Sequence, residues 1–147
     1  MDRSALDAEL IRDEEQVLYL YDDANGKRIV RGYTVLGTPT ICVGINATFF
    51  DAEESIWLLH HRQDIAIAAL TKAFPPFAAL DDVRQRALTN LYFNVPAFLH
   101  WTNFMAFCNS ANWSAAAADL ETTHPWIDQV GARGLRIAGM LRAGTPA

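Results

Sequence analysis

"LIRDEEQVLYLYDD", residues 10–23, changes its periodicity half-way, and the reading of that change decides the fold. Up to the paired Glu14 and Glu15, the apolar residues Leu6, Leu10 and Ile11 recur at helical spacing behind a capping signal at Ser4 and Asp7. A helix is therefore expected to run to about Glu14. "VLYLY" is too short and too rich in β-formers to prolong it, and the "DDANGK" that follows is turn chemistry. A helix, a strand and a turn thus share one short stretch, with an acidic pair at each joint. Glu14 or Glu15 at the helix end and Asp22 or Asp23 at the turn can face one another across a bend, as two-carboxylate glycoside hydrolysis requires. Taken alone, such pairs are commonly solvated surface charge.

Working outward, "KRIVRGYTVLG" (27–37) and "TPTICVG" (38–44) carry β-branched residues bounded by Gly or Pro. They extend the strand into a small antiparallel sheet over about residues 17–45. From Asp51 the pattern turns helical. Asp51 and Glu54 read as a cap and its partner, and the helix they open keeps its spacing to the Pro75–Pro76 pair. Asp81 or Asp82 starts the next helix, which Pro96 stops. Phe98, Met105 and Phe107 mark another, and Trp113 to Leu120 and Gln129 to Leu141 add two more. The expected class is α+β in a single domain over 1–147: a small N-terminal sheet lobe (about 17–45) joined by a long helix to a helical lobe (about 75–145).

Composition narrows the chemistry. A chain of 147 residues that is 51% hydrophobic can bury one sizeable core. Its net charge of −5 gives no global reason to seek nucleic acid or an anionic membrane. Cys42 and Cys108 sit in apolar surroundings and are expected as buried free thiols. His60, His61, His100 and His124 show neither helical zinc spacing nor a Cys partner, so no metal is expected. There is no nucleophile elbow and no Gly-rich phosphate loop. The first fifteen residues are too charged for a signal peptide, and no apolar run approaches the ~18 residues of a spanning helix. Carboxylates remain as the candidate chemistry.

The order of elements in "LIRDEEQVLYLYDD" resembles the start of the bacteriophage lysozymes, a family of peptidoglycan hydrolases. There the opening helix delivers a Glu, and an aromatic residue and an Asp follow at fixed spacing. Glu14, Tyr21 and Asp23 match that spacing, which selects Glu14 over Glu15 and Asp23 over Asp22. "GTPTICVG" is similar to the family's Thr-containing strand, with Thr40 on the catalytic Thr. The resemblance continues in order through "LDDVRQRALTNLYFNV", "NWSAAAADL" and "PWIDQVGARGLRIAGMLRAGT". Departures are visible at Glu15, where the family commonly has Gly, at Cys42, at "GIN" (44–46) and at "NVPAF" (94–98). The connection between Asp23 and Thr40 is also longer than in compact members.

The resemblance implies a lysozyme-like fold and a muramidase that hydrolyses the β-1,4 bond between N-acetylmuramic acid and N-acetylglucosamine. Glu14 would be the general acid, and Asp23 with Thr40 would hold the attacking water. Arg133 matches the Arg that pairs with the catalytic Glu, and Asn94 lies where the family places an amide in the substrate cleft. Trp126 is expected in the core. No cofactor is implied. The partner would be bacterial peptidoglycan, with no nucleic acid, no stable membrane insertion and a monomeric state. Synthesis in the host cytoplasm would be followed by release to the wall through another factor, ending in host lysis. The alternative is a catalytically degenerate fold kept as a glycan-binding or virion structural module. In the long connection, Lys27, Arg28 and Arg31 are either a solvated edge or contacts for acidic stem peptides.

One outcome tests the register of the opening motif. Glu14→Gln should lower lysis of outer-membrane-permeabilised cells, read as turbidity loss, by ~100-fold or more, and Glu15→Gln far less. The reverse ranking would move the motif by one residue.

Overall fold

The computed structural model describes residues 3–122 and 130–144. The chain divides into two compact units, Met1–Ile56 and Trp57–Ala147. Its class is α+β: a small four-stranded antiparallel sheet and, in larger share, helices.

In the first unit, helix α1 (Arg3–Glu14) gives way to strand β1 (Val17–Asp22), as the periodicity change predicts. Glu15 makes the switch: its φ of +59° lies in the left-handed region, which ends a helix sharply. Strands β2 (Lys27–Arg28), β3 (Pro39–Cys42) and β4 (Ile45–Asn46) follow, in sheet order β2-β1-β3-β4 with every pairing antiparallel. The Asp22 carbonyl accepts the N–H groups of Asn25 (3.2 Å) and Gly26 (2.8 Å), closing the β1–β2 turn. Tyr21 stands opposite Arg28 on one side and Thr40 on the other, and the β1–β3 register shifts between Val17 and Tyr21.

The stretch 27–37, expected as a strand, is one only at Lys27–Arg28. Two causes end it. A turn forms where the Tyr33 N–H meets the Val30 carbonyl at 2.9 Å, with Gly32 at a φ of +86°. The N–H groups of Leu36 and Gly37 then donate to the side chain of Asp22 instead of to a neighbouring strand. Lys27, Arg28 and Arg31 remain exposed, and the Arg28 guanidinium lies over the Tyr19 ring, 5.3 Å from its centroid.

Helix α2 (Ala52–Ala73) opens with the expected reciprocal cap. The Glu54 N–H donates to Asp51 Oδ1 (2.8 Å), and the Asp51 N–H donates back to Glu54 Oε2 (3.1 Å). It ends before a 3-10 turn at Pro75–Ala79. Helix α3 (Asp82–Asn94) is capped by Asp81, whose Oδ1 accepts the Arg84 N–H at 3.0 Å. Helices α4 (Thr102–Asn109), α5 (Trp113–Thr122) and α6 (Ala132–Ala143) complete the described part of the second unit. Of the stretch expected as its last helix, Gln129 lies outside the described residues, as does Trp126.

Phe98 corrects one expectation: it does not share a helix with Met105 and Phe107. Pro96 starts a separate 3-10 turn, Pro96–His100, and Trp101 parts it from α4. That turn drives the Phe98 ring into the core, with edge-on contacts to Tyr92, Trp101 and Phe104 at centroid distances of 6.4, 6.3 and 5.6 Å. Each such fully buried apolar side chain contributes roughly 1.5–3 kcal/mol through burial. Ala116 and Ala117, both fully buried, let α5 approach α6 closely. Cys108 is a buried thiol, as expected, and burial pushes it up to about 12, with the charge of Asp119 adding to the rise. Cys42, also expected to be buried, is only half-buried. No helix among the described residues is long and apolar enough to cross a membrane.

Cys42 also has a φ of +59°, a conformation that L side chains rarely adopt. Replacing it by Gly should remove a strain of ~1–2 kcal/mol, partly offset by the freer unfolded chain. Urea melts should therefore rank Cys42→Gly at or above the parent by up to ~1 kcal/mol, and the β-branched Cys42→Val below it. A Val variant as stable as the Gly variant would overturn the assignment of strain.

Candidate functional site

Asp22 ends β1 with its side chain turned inward and fully buried. Its Oδ1 accepts the Gly37 N–H at 2.8 Å and the Ala24 N–H at 3.2 Å. Its Oδ2 accepts the Leu36 N–H at 2.7 Å and the Tyr33 hydroxyl at 3.1 Å, and that hydroxyl in turn accepts from Asn25 Nδ2 at 2.9 Å. The Leu36 amide, ahead of the other donors, holds the carboxyl below its ordinary range, against the opposing effect of burial. Asp22 is thus occupied with the turn before β2 and, through three of its four donors, with the loop that follows β2.

Asp23 turns the other way and is exposed. It grips the backbone of Thr38 at both its N–H and its carbonyl. The Asp23 N–H donates to the Thr38 carbonyl at 3.1 Å, and Asp23 Oδ1 accepts the Thr38 N–H in a short hydrogen bond. Thr40, only 5% exposed, donates its hydroxyl proton to the same Thr38 carbonyl at 3.0 Å. Asp23 and Thr40, singled out from the sequence, are therefore brought together at one residue: the Asp23 N–H and the Thr40 hydroxyl share the Thr38 carbonyl, and the Asp23 carboxylate takes the Thr38 N–H, which belongs to the preceding peptide. Gly37 is needed beside them, because a Cβ there would collide with Asp23 Oδ1 and lie 2.8 Å from the Ala24 Cβ.

This geometry leaves a defined chemical capacity. With its proton committed to Thr38, the Thr40 oxygen keeps only acceptor capacity. The Asp23 carboxylate spends Oδ1 on the Thr38 amide, and among the described residues Oδ2 is not engaged. Two acceptors held at one residue are the kind of pair that suits a water donating both of its protons. Glu14 closes α1 in the same unit, and its side chain lies outside the described residues. Glu15 is exposed and left-handed.

The other two candidates lie in the second unit and are also joined by a third residue. Asn90 Oδ1 accepts from Arg133 Nε (3.1 Å) and NH2 (2.8 Å). Asn94 Nδ2 donates to the Asn90 carbonyl at 2.6 Å, with a longer 3.4 Å approach to Asn90 Oδ1. Asn90 escaped the sequence reading. Its one signal was the four-residue step to Asn94, which places both amides on one face of α3. Arg133 and Asn90 line a groove of about 660 Å³ within this unit, together with Gln63, Arg86, Thr89 and Phe93. Such a mixture of amide, guanidinium and aromatic groups matches polar ligands that carry apolar faces.

No family model matches the chain, and no curated protein matches it. Among the described residues no group of three His, Cys, Asp or Glu side chains is arranged to hold a metal ion.

The buried carboxylate has a pH signature. A group whose folded pKa is lowered stabilises the fold above its unfolded value and loses that contribution as pH falls through the folded one. The first unit should therefore weaken steeply in urea melts below about pH 4, and in Asp22→Asn, already weaker at neutral pH, the acid decline should be shallower. Parallel acid declines would mean that the Asp22 carboxylate is not held in its charged form.

Proposed function

We propose that this protein is a lysozyme-type muramidase that cleaves the β-1,4 bond after N-acetylmuramic acid in bacterial peptidoglycan. The observation that carries this reading is the convergence of Asp23 and Thr40 on the backbone of Thr38, the carboxylate at its N–H and the hydroxyl at its carbonyl, since an inverting glycosidase needs a carboxylate and a second acceptor fixed around one water. In the proposed reaction Glu14 protonates the leaving glycosidic oxygen. The water held between Asp23 Oδ2 and Thr40 Oγ1 attacks the anomeric carbon from the opposite face and gives its proton to Asp23. Rigid placement matters here, because a water displaced by ~1 Å costs about 100-fold in rate.

Backbone geometry lends independent support. The resemblance puts Gly at position 15, and the backbone there is left-handed, the conformation for which Gly is the default. Cys42, the departure in the Thr strand, shares that conformation. Two of the departures thus fall where the backbone favours Gly, which is what a family-like path of the chain would require. Arg133, which lines the groove of the second unit, and Asn94, joined to it through Asn90, are proposed to contact the glycan. The lysozyme-like fold, the monomeric state, and a lytic role at the wall after release by another factor belong to the same proposal.

Zone clearing on peptidoglycan, followed by kinetics on soluble glycan fragments, is the test. Wild type should clear the substrate. Thr40→Ala and Asp23→Asn should each lower kcat by ~10-fold or more while changing KM little, since both groups act on the water and not on glycan binding. Wall binding without any hydrolysis would replace the enzyme by a glycan-binding module of degenerate fold. Wild-type kcat in both variants would remove the water assignment even with Glu14 essential.

A further inference from the structure

Three successive amides, those of Leu36, Gly37 and Thr38, donate to the side chains of two successive aspartates. Leu36 and Gly37 bind Oδ2 and Oδ1 of Asp22, and Thr38 binds Oδ1 of Asp23. The two carboxylates differ in exposure, one fully buried and one facing outward. The buried one reaches no solvent, so it neither meets a substrate nor exchanges a proton with one. Its bonds all go to the connection between Asp23 and Thr40, the part of the chain that is longer here than the resemblance would give.

We infer that Asp22 is a positioning residue: by holding the Leu36 and Gly37 amides it fixes the adjoining residue Thr38, on whose N–H and carbonyl Asp23 and Thr40 converge, and thereby the place of the attacking water. This inference rests on the muramidase reading. A long connection has many conformations, and closing it leaves the Thr38 carbonyl undefined unless something fixes its approach. Asp22 does so at the last two residues before Thr38, where error in the carbonyl direction is smallest. A carboxylate suits the task because both oxygens only accept, so each can take amides from a converging loop. Asn at this position would set an NH2 group against one of those amides. Tyr33 backs the same carboxylate from the far side of the loop, tying the turn at Val30 to the end of β1. Gly37 completes the arrangement by leaving room for Asp23.

The test uses full-length protein, soluble glycan fragments and amide hydrogen exchange. Asp22→Asn should lower kcat by ~10-fold or more with KM within about two-fold, because the water moves while the glycan-binding surface does not. Exchange should quicken at Leu36, Gly37 and Thr38 and stay unchanged at Leu91 and Leu120 in the helical core. If Asp22 acts through Asp23, the double variant Asp22→Asn/Asp23→Asn should lose little beyond Asp23→Asn alone, whereas two independent defects would multiply. Multiplying losses, an equal shift in KM, or an unchanged kcat in an active protein would each overturn the inference and leave the muramidase reading standing. Should Asp22→Asn fail to keep its sheet, Tyr33→Phe replaces it, removing one of the four donors. A smaller kcat loss with the same non-additivity supports the proposal, and no loss overturns it. A wild type that leaves glycan intact overturns the muramidase reading itself, and the exchange pattern still reports whether Asp22 holds the loop.

Discussion

A carboxylate buried under a turn obliges its surroundings to supply donors, since an unpaired buried charge costs several kcal/mol. For Asp22 the donors are mostly backbone amides, and amides come with chain attached. The connection after β2 must therefore return to the end of β1 and present Leu36 and Gly37 in one orientation. Much else in the first unit follows from that return. Beyond Ile29, whose N–H still meets the Leu20 carbonyl, the chain does not extend β2: it turns at Val30–Tyr33 and its last amides are already engaged. Strand β3 must begin at Pro39, opposite Asp22, where the lack of an N–H is tolerated at a strand's first position. Thr38 is then left between a fixed loop and a fixed strand, with its two backbone polar groups directed at Asp23 and Thr40.

The helical unit meets its constraints differently, with an apolar core and, at its rim, a polar knot around Arg84. Arg84 NH1 reaches Asp81 Oδ2 at 2.6 Å, its Nε donates to the Leu141 carbonyl at 3.0 Å, and its guanidinium lies 5.0 Å from the Trp113 ring centroid. The start of α3, the end of α6 and the start of α5 therefore meet at one planar cation. A helix ends with unsatisfied carbonyls and a partial negative charge, which the guanidinium answers with both a donor and a positive charge. Gly144 follows from this too: a Cβ there would collide with the Arg84 guanidinium, and its φ is +59°. Pro75 and Pro96 shape the same unit by starting 3-10 turns, which turn Phe77 and Phe98 into the core without lengthening any helix.

Where structure is decided within a few residues, the sequence was legible. The periodicity switch after Glu14, the Asp51–Glu54 box, the Asp81 cap and the proline stops depend on local chemistry, and all lie where their patterns point. Residues 27–37 misled for the opposite reason. Their β-branched pattern is a true local preference, but a carboxylate more than a dozen positions away in the chain takes the amides, and no window of periodicity contains that competition. Phe98 misled in a related way, since the 3-10 turn that Pro96 starts holds it, and Trp101 parts that turn from the helix its spacing suggested. Within the candidate site, Asp23, Thr40, Asn94 and Arg133 were chosen by resemblance. The groups that join them, the Thr38 peptide and the Asn90 side chain, carry no distinctive residue type. A backbone carbonyl is common to every residue, and an Asn on a helix face is ordinary until its partners are known.

The acidic pairs that opened the reading are resolved by geometry in a way that spacing alone did not require. Successive side chains at the end of an extended strand point to opposite sides, so two adjacent aspartates there tend to divide into one inward and one outward. Asp22 faces in and is saturated with four donors; Asp23 faces out and keeps an oxygen unengaged among the described residues. A residue that is to take a proton from water must reach water, so burial rules against Asp22 on physical grounds, independently of any family. Glu14 and Glu15 part along another line, the backbone. Glu14 is the last residue of the helix and Glu15 the left-handed residue that terminates it. In each pair one residue serves the path of the chain. The partner left over, Asp23 in one pair and Glu14 in the other, is the one to which the proposed chemistry assigns a proton.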